Sequence, residues 1–213
     1  MIDTYRHKGL RKKLVEQLKE KGISDKLILD AIGKVPRLFF MDSGFIEFAY
    51  RDQAFPIGSK QTISQPYTVA FQTELLGAKK HDKILEVGTG SGYQCVVLLE
   101  LGAKVYTIER QRDLYLKSRA LLNKMGYKPY FFYGDGYAGK LNHAPFDKIL
   151  ITAGAPDIPR DLLTQLKVGG RMVVPIGGSK GQVMMAIDRI SVDEYKEYEH
   201  GHFSFVPMLK GKQ

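Results

Sequence analysis

Three glycines in five positions, Gly88, Gly90 and Gly92, stand in the run Glu86-Val87-Gly88-Thr89-Gly90-Ser91-Gly92-Tyr93. So dense a set is costly in backbone entropy. It follows an apolar, strand-like run and opens a helical one, the position of a ligand-binding turn in open α/β sheets. The dinucleotide fingerprint needs a third small residue for close helix–strand packing; here that place is Tyr93. Glu86, two residues before Gly88, would repel a pyrophosphate and suits a cationic or amine-bearing ligand. Two more acids end later strands. Glu109 lies 21 residues after Gly88, where a carboxylate accepts from ribose hydroxyls. Asp135, in Gly134-Asp135-Gly136, is placed to accept from an adenine amino group. A ligand with adenine, ribose, a positive centre and no phosphate is S-adenosyl-L-methionine.

A second stretch, Gln53 to Ala70, is rich in turn residues and offers the hydroxyls and amides of Gln61, Thr62, Ser64 and Gln65. It precedes the glycine loop by some twenty residues and is placed to cover the cofactor and hold a polar acceptor. Two roles stay open for Ser64: an N-cap for a helix over Pro66–Leu76, or a hydrogen-bond donor to the acceptor.

The elements that position these residues follow from periodicity. Leu10, Leu14 and Leu18 recur at helical spacing before Gly22, and Ser24 is expected to cap a second helix that ends near Pro36. From residue 83, apolar runs at 83–87, 104–108, 129–133, 148–152 and 171–176 alternate with helical stretches at 94–101, 114–125 and 159–166. That alternation predicts βαβ units and a parallel sheet covered on both faces. Strands are expected at 183–190 and 203–208. The fold class is therefore α/β: a doubly wound, Rossmann-like, mostly parallel sheet with an N-terminal helical extension and a C-terminal antiparallel strand pair. One domain over 1–213 is expected, divided into a flank at 1–50, an acceptor segment at 51–80, a cofactor core at 81–176 and terminal strands at 177–213.

Composition narrows the class. Hydrophobic residues at 44% and charged residues at 26% describe a globular chain. No run approaches about 18 apolar residues, and the start lacks a secretory h-region. Cys95 is the single cysteine, so no internal disulfide is available and a cytoplasmic protein is expected. The net charge of +9 is spread thinly, +5 over residues 1–80 and +4 over 81–213, which reads as solvated surface. The histidines at 7, 81, 143, 200 and 202 show no convincing metal-ligand spacing, so no metal is expected.

The series Glu86–Tyr93, Glu109, Gly134–Gly136 and Phe146–Thr152 resembles the motifs of class I methyltransferases. The whole chain also resembles the protein-L-isoaspartate (D-aspartate) O-methyltransferase family. Phe55-Pro56-Ile57-Gly58 leads into Gln61-Thr62-Ile63-Ser64-Gln65-Pro66, and Ala153–Pro156, Gly169–Val173, Pro175–Gly177 and Phe205–Pro207 follow in family order. Ser59-Lys60 departs from the Tyr-Gly or Gly-Gly common there.

The resemblance implies methyl transfer from S-adenosyl-L-methionine to the α-carboxylate of isoaspartyl residues. It implies cofactor contacts at Glu86, Gly88, Thr89, Gly90, Ser91, Gly92, Glu109, Arg110, Asp135, Gly136 and Thr152. It implies substrate contacts at Ile57, Gln61, Thr62, Ile63, Pro175, Ile176 and Val206. The acceptor carboxylate is already ionised, so positioning carries catalysis, and Ser64 is the candidate to align it. Isoaspartate-containing proteins and peptides are the expected partners of a monomer, with neither nucleic acid nor membrane. Two alternatives stand beside this reading: a nucleic-acid methyltransferase and a non-catalytic cofactor-binding module. Thr152–Pro156 offers no ring on which a base could stack, which disfavours the former.

Overall fold

A computed structural model describes residues 2–178 and 180–213. Helix α1 (Tyr5–Glu20) starts at a reciprocal cap, in which Thr4 accepts from the His7 amide and the His7 ring accepts from the Thr4 amide. Helix α2 (Lys26–Lys34) is capped by Asp25, whose carboxylate accepts from the Leu27 and Ile28 amides. The cap expected at Ser24 is thus one residue early. The Ser24 amide and hydroxyl instead donate to Glu74. Pro36 disfavours further helix, and a 3-10 turn at Arg37–Phe40 follows.

The segment at 51–80 holds a hairpin and a helix. Strands β1 (Phe55–Gly58) and β2 (Gln61–Ile63) pair antiparallel across Ser59 and Lys60, both at positive φ. Helix α3 (Pro66–Leu76) begins with proline, which needs no amide partner at that position. Its N-cap is Gln65, and Ser64 caps nothing.

Strands β3 (Lys83–Val87), β4 (Lys104–Glu109), β5 (Tyr130–Tyr133), β6 (Phe146–Ile151), β7 (Leu166–Ile176), β8 (Gln182–Arg189) and β9 (Tyr195–Phe203) form one sheet. Their order is β5-β4-β3-β6-β7-β8-β9, parallel through β7 and antiparallel beyond. Helices α4 (Tyr93–Glu100) and α5 (Arg112–Lys124) follow β3 and β4. The strand order reverses between β3 and β6, so a ligand crevice opens beyond their carboxyl ends. Helices α1 to α5 contribute to the core on one face of the sheet. The other face holds Leu162 and Leu163 of α6 (Arg160–Leu163), with rings such as Tyr106 and Phe132.

Two expectations fail locally. The helix expected at 159–166 is the single turn α6, because Leu166 already pairs with Phe146 in the sheet. The strand expected at 203–208 is wrong. The last strand is β9, a polar edge strand without an apolar run, and residues beyond Phe203 leave the sheet. Pro207 lacks a ladder amide and only bridges to Gly154.

Candidate active site

The glycine loop needs its glycines. Gly88, Gly90 and Gly92 lie at φ of 98°, 53° and 88°, where side chains are disfavoured. A Cβ on Gly88 would sit 2.5 Å from Thr152 Oγ1, and one on Gly92 2.6 Å from Leu122 Cδ1. The loop is tied down from beneath: the Gly88 and Thr89 amides donate to the Ile108 carbonyl, and the Gly90 amide donates to Glu109 Oε2 at 2.8 Å. The other Glu109 oxygen accepts from the Gln111 amide at 2.8 Å. Each carboxylate oxygen accepts more than one bond, so Glu109 can hold the loop and still accept from a diol.

Above the loop opens a cleft. Its lining brings together Gly88, Thr89, Gly90, Ser91, Glu109, Arg110, Gly136 and Thr152 with Gln61, Thr62, Ile63, Ser64 and Val206. A larger groove adjoins it, lined by Ile176, Tyr67, Phe71, Phe203 and Phe205 among others. Thr62, Ser64, Thr152 and Val206 line both. Ser64 therefore stands in the wall where the two spaces meet. Its hydroxyl has no hydrogen-bond partner among the described residues, and only its carbonyl is engaged.

Six site residues lie outside the cofactor cleft's lining. Glu86 is fully buried in β3, and Thr107 Oγ1 donates to its Oε2 at 2.5 Å. Its Oε1 has no partner among the described residues. Burial, opposed by the Thr107 and Cys95 hydrogen bonds, pushes its carboxyl up to about 8. It is therefore protonated at neutral pH, and the expectation of a carboxylate facing a cationic ligand is corrected. Glu86 acts from below, through Thr107 and then Thr89, whose hydroxyls are 2.5 Å apart.

Asp135 also faces elsewhere. Its oxygens accept from the Tyr137 and Gly211 amides, at 2.9 and 2.7 Å. Gly92 is buried against Leu122. Ile57 is buried, with Cδ1 3.6 Å from where a Gly90 Cβ would lie, so it seats the hairpin on the glycine loop. Pro175 is buried and its carbonyl accepts from Ala155. Ile176 lines the larger groove. Arg110 lines the cofactor cleft, yet its guanidinium donates to Lys210, Gly211 and Gln213 of the C-terminal segment.

The residue that the sequence reading missed is Arg37. It is completely buried and has no salt-bridge carboxylate among the described residues. One nitrogen donates to the Ala49 carbonyl at 2.7 Å; the other donates to the Gln53 and Ser64 carbonyls, each at 3.0 Å. The Phe55 and Tyr93 rings flank it at 5.9 and 5.7 Å. Burial lowers its pKa to about 10, so it stays charged at neutral pH. Arg37 thus fixes the backbone of Ser64 from the N-terminal flank. A single Arg after a proline carries no sequence signal of that role.

Among the described residues no group of three His, Cys, Asp or Glu side chains could hold a metal, and no helix is long and apolar enough to cross a membrane. Cys95 is buried, and its thiol is pushed well up by burial and by Glu86.

The model of the family described as protein-L-isoaspartate(D-aspartate) O-methyltransferase matches residues 9–213. A protein-L-isoaspartate O-methyltransferase of Christiangramia forsetii is 59% identical over 213 residues, all of both chains. A solved protein-L-isoaspartate O-methyltransferase superposes with a TM-score of 0.84 at 29% identity, covering 92% of this chain and 65% of that one. A Plasmodium falciparum structure, described as such an enzyme with S-adenosyl-L-homocysteine, shares the fold. Its TM-score is 0.82 at 23% identity, covering 94% of this chain and 99% of that one. The chain belongs to the protein-L-isoaspartate (D-aspartate) O-methyltransferase family.

Proposed function

We propose that this protein methylates the α-carboxylate of L-isoaspartyl and D-aspartyl residues in damaged proteins and peptides, using S-adenosyl-L-methionine, and that Ser64 aligns the acceptor. Family membership carries the reaction class. The observation that supports the placement is Ser64 itself, with an unengaged hydroxyl in the wall shared by two adjoining clefts.

When bound, the cofactor supplies an electrophilic methyl group on a sulfonium sulfur. The residues present fit it. Gly88 leaves room against Thr152, Glu109 keeps free lone pairs for ribose hydroxyls, and Val87, Ile108 and Met208 give apolar walls. The remaining work is geometric. The Ser64 hydroxyl donates to one carboxylate oxygen and leaves the other free to attack. Arg37 holds the Ser64 carbonyl, and Ile57 holds the hairpin on the glycine loop. No strong base is needed, because the nucleophile is already an anion; ordering two reactants in one geometry supplies the acceleration. The methyl ester formed is a better electrophile than the carboxylate it replaces. The neighbouring backbone amide nitrogen attacks the ester carbonyl, the C–OCH3 bond breaks with loss of methanol, and the succinimide so formed hydrolyses in part to normal aspartate.

In the same reading the enzyme works as a monomer in the cytoplasm, on protein and not on nucleic acid or membrane. A single, free, buried cysteine supports that setting. Labelled cofactor is incubated with matched Asp and isoAsp peptides, RNA and DNA. Base-labile label confined to the isoAsp peptide is expected, and stable label on nucleic acid would overturn the reading. Ser64→Ala is expected to lower turnover about 10- to 100-fold, or ~1.4–2.7 kcal/mol, with cofactor affinity kept. Wild-type turnover in a folded Ser64→Ala enzyme removes Ser64 from the mechanism.

A further inference from the structure

The larger groove beside Ser64 is open to solvent and adjoins the cofactor cleft along Thr62, Ser64, Thr152 and Val206. Four rings line it: Tyr67, Phe71, Phe203 and Phe205. Tyr67 and Phe71 stand one turn apart on α3, with centroids 5.8 Å apart. Phe71 lies 5.1 Å from Phe203, and Phe203 lies 6.4 Å from Phe205. The four form one continuous shelf, and each is only half-buried.

The shelf is held in place. Gln182, itself buried, accepts from the Phe205 amide at 2.8 Å and donates to the Gly178 carbonyl at 2.7 Å. No Asp or Glu lines the groove among the described residues, whereas Lys180, His200 and His202 do. A contiguous apolar surface with a polar rim, continuous with a reactive group, is the mark of a binding subsite.

We infer that this aromatic shelf binds an aromatic or large aliphatic side chain flanking the isoaspartyl residue. The inference rests on the proposed isoaspartyl methylation and on the placement of Ser64 at the junction. An extended peptide advances about 3.3 Å per residue and turns alternate side chains to one face. With the acceptor carboxylate at Ser64, a flanking side chain on the same face reaches the rings. Aromatic rings pack on such a surface edge-on or offset. Side chains of this class are buried in folded proteins and exposed when tertiary structure is lost. The shelf therefore favours damage in unfolded chain segments over damage on an intact surface.

The test walks one Phe through the three positions on either side of isoAsp in an otherwise Ser/Gly peptide, and measures kcat and KM for methylation. At one or two positions Phe is expected to raise kcat/KM about fivefold to twentyfold over Ser. The gain should lie in KM, with kcat changed less than about twofold. In Phe71→Ala and in Phe203→Ser the Phe/Ser ratio should fall below about two, and Phe203→Tyr should restore it. The ratio compares two peptides on one enzyme, so a general loss of stability leaves it unchanged. A flat series with the wild-type enzyme would overturn the shelf, as would a ratio that survives both ring removals. Methylation of the Ser/Gly isoAsp peptide with a flat series leaves the isoaspartyl reading standing and removes only the shelf. Methylation of no isoAsp peptide removes both.

Discussion

The glycine loop and the β1–β2 hairpin face each other across one crevice, and their positions are guaranteed by different means. The loop rests on the ends of β3 and β4. Its amides bond to Ile108 and Glu109, and its glycines occupy positions that a Cβ would obstruct. Every part comes from the stretch between β3 and Thr152, just beyond the paired strand β6. The hairpin belongs to no large sheet. It is held by Ile57 against the loop and by a buried guanidinium from a different part of the chain. The cofactor side is secured by the geometry of its own backbone, whereas the acceptor side is secured by a few side chains reaching in from elsewhere. Single substitutions should therefore separate the two sides.

The largest separation is expected from Arg37→Met. It strips partners from the Ala49, Gln53 and Ser64 carbonyls, and buried acceptors without partners cost about 1–3 kcal/mol each. A urea titration should show a loss of about 3–5 kcal/mol. In protein that remains folded, turnover should fall further than affinity for S-adenosyl-L-homocysteine. Equal losses of both would dissolve the distinction between the sides.

Gly88→Ala probes the opposite side. A side chain at φ 98° and 2.5 Å from Thr152 Oγ1 should cost about 2–3 kcal/mol in stability or cofactor binding. Calorimetric titration with S-adenosyl-L-homocysteine should record weaker binding, and unchanged binding would show that the loop yields more readily than its contacts suggest.

Glu86→Gln has a smaller effect, visible in its pH dependence. The folded-state pKa of about 8 lies above the ordinary carboxyl value of 4.5. The folded protein therefore holds a proton that the unfolded chain releases, and stability falls as pH rises from about 4.5 to about 8. Melting temperatures of the wild-type protein should decline across that window, and Glu86→Gln should flatten the decline. A decline as steep in the variant as in the wild type would mean that Glu86 is ionised in the fold.

The smallest effect concerns the hairpin tip. Lys60 sits at φ 56°, a conformation that glycine adopts freely. Lys60→Gly should stabilise the protein by about 0.5–1 kcal/mol, read as a small rise in melting temperature.

What could be read from the residues alone follows the same division. The glycine loop, Glu109 and the parallel strands were legible because each is encoded locally, by spacing along one segment. Glu86 was legible as important but misread in orientation. Leu85 and Val87 face one core and Ile84 the other, so alternation along a strand buried on both sides seals Glu86 inside. The ties from Asp135 and Arg110 to the C-terminal segment were not legible, because Lys210, Gly211 and Gln213 lie 76 to 103 residues away. The edge strand β9 was overlooked because solvent on one side permits Lys, Glu and His where an apolar run was sought. Arg37 had no signal at all, since nothing in sequence separates a guanidinium bound for the interior from one bound for water.

That buried arginine makes the first forty residues and Ser64 one mechanical unit. Grafting the hairpin onto another methyltransferase core would transplant the Ser64 hydroxyl without the strut beneath its backbone. Redesign of substrate choice in this fold must carry the amino-terminal helices along with the loop they brace.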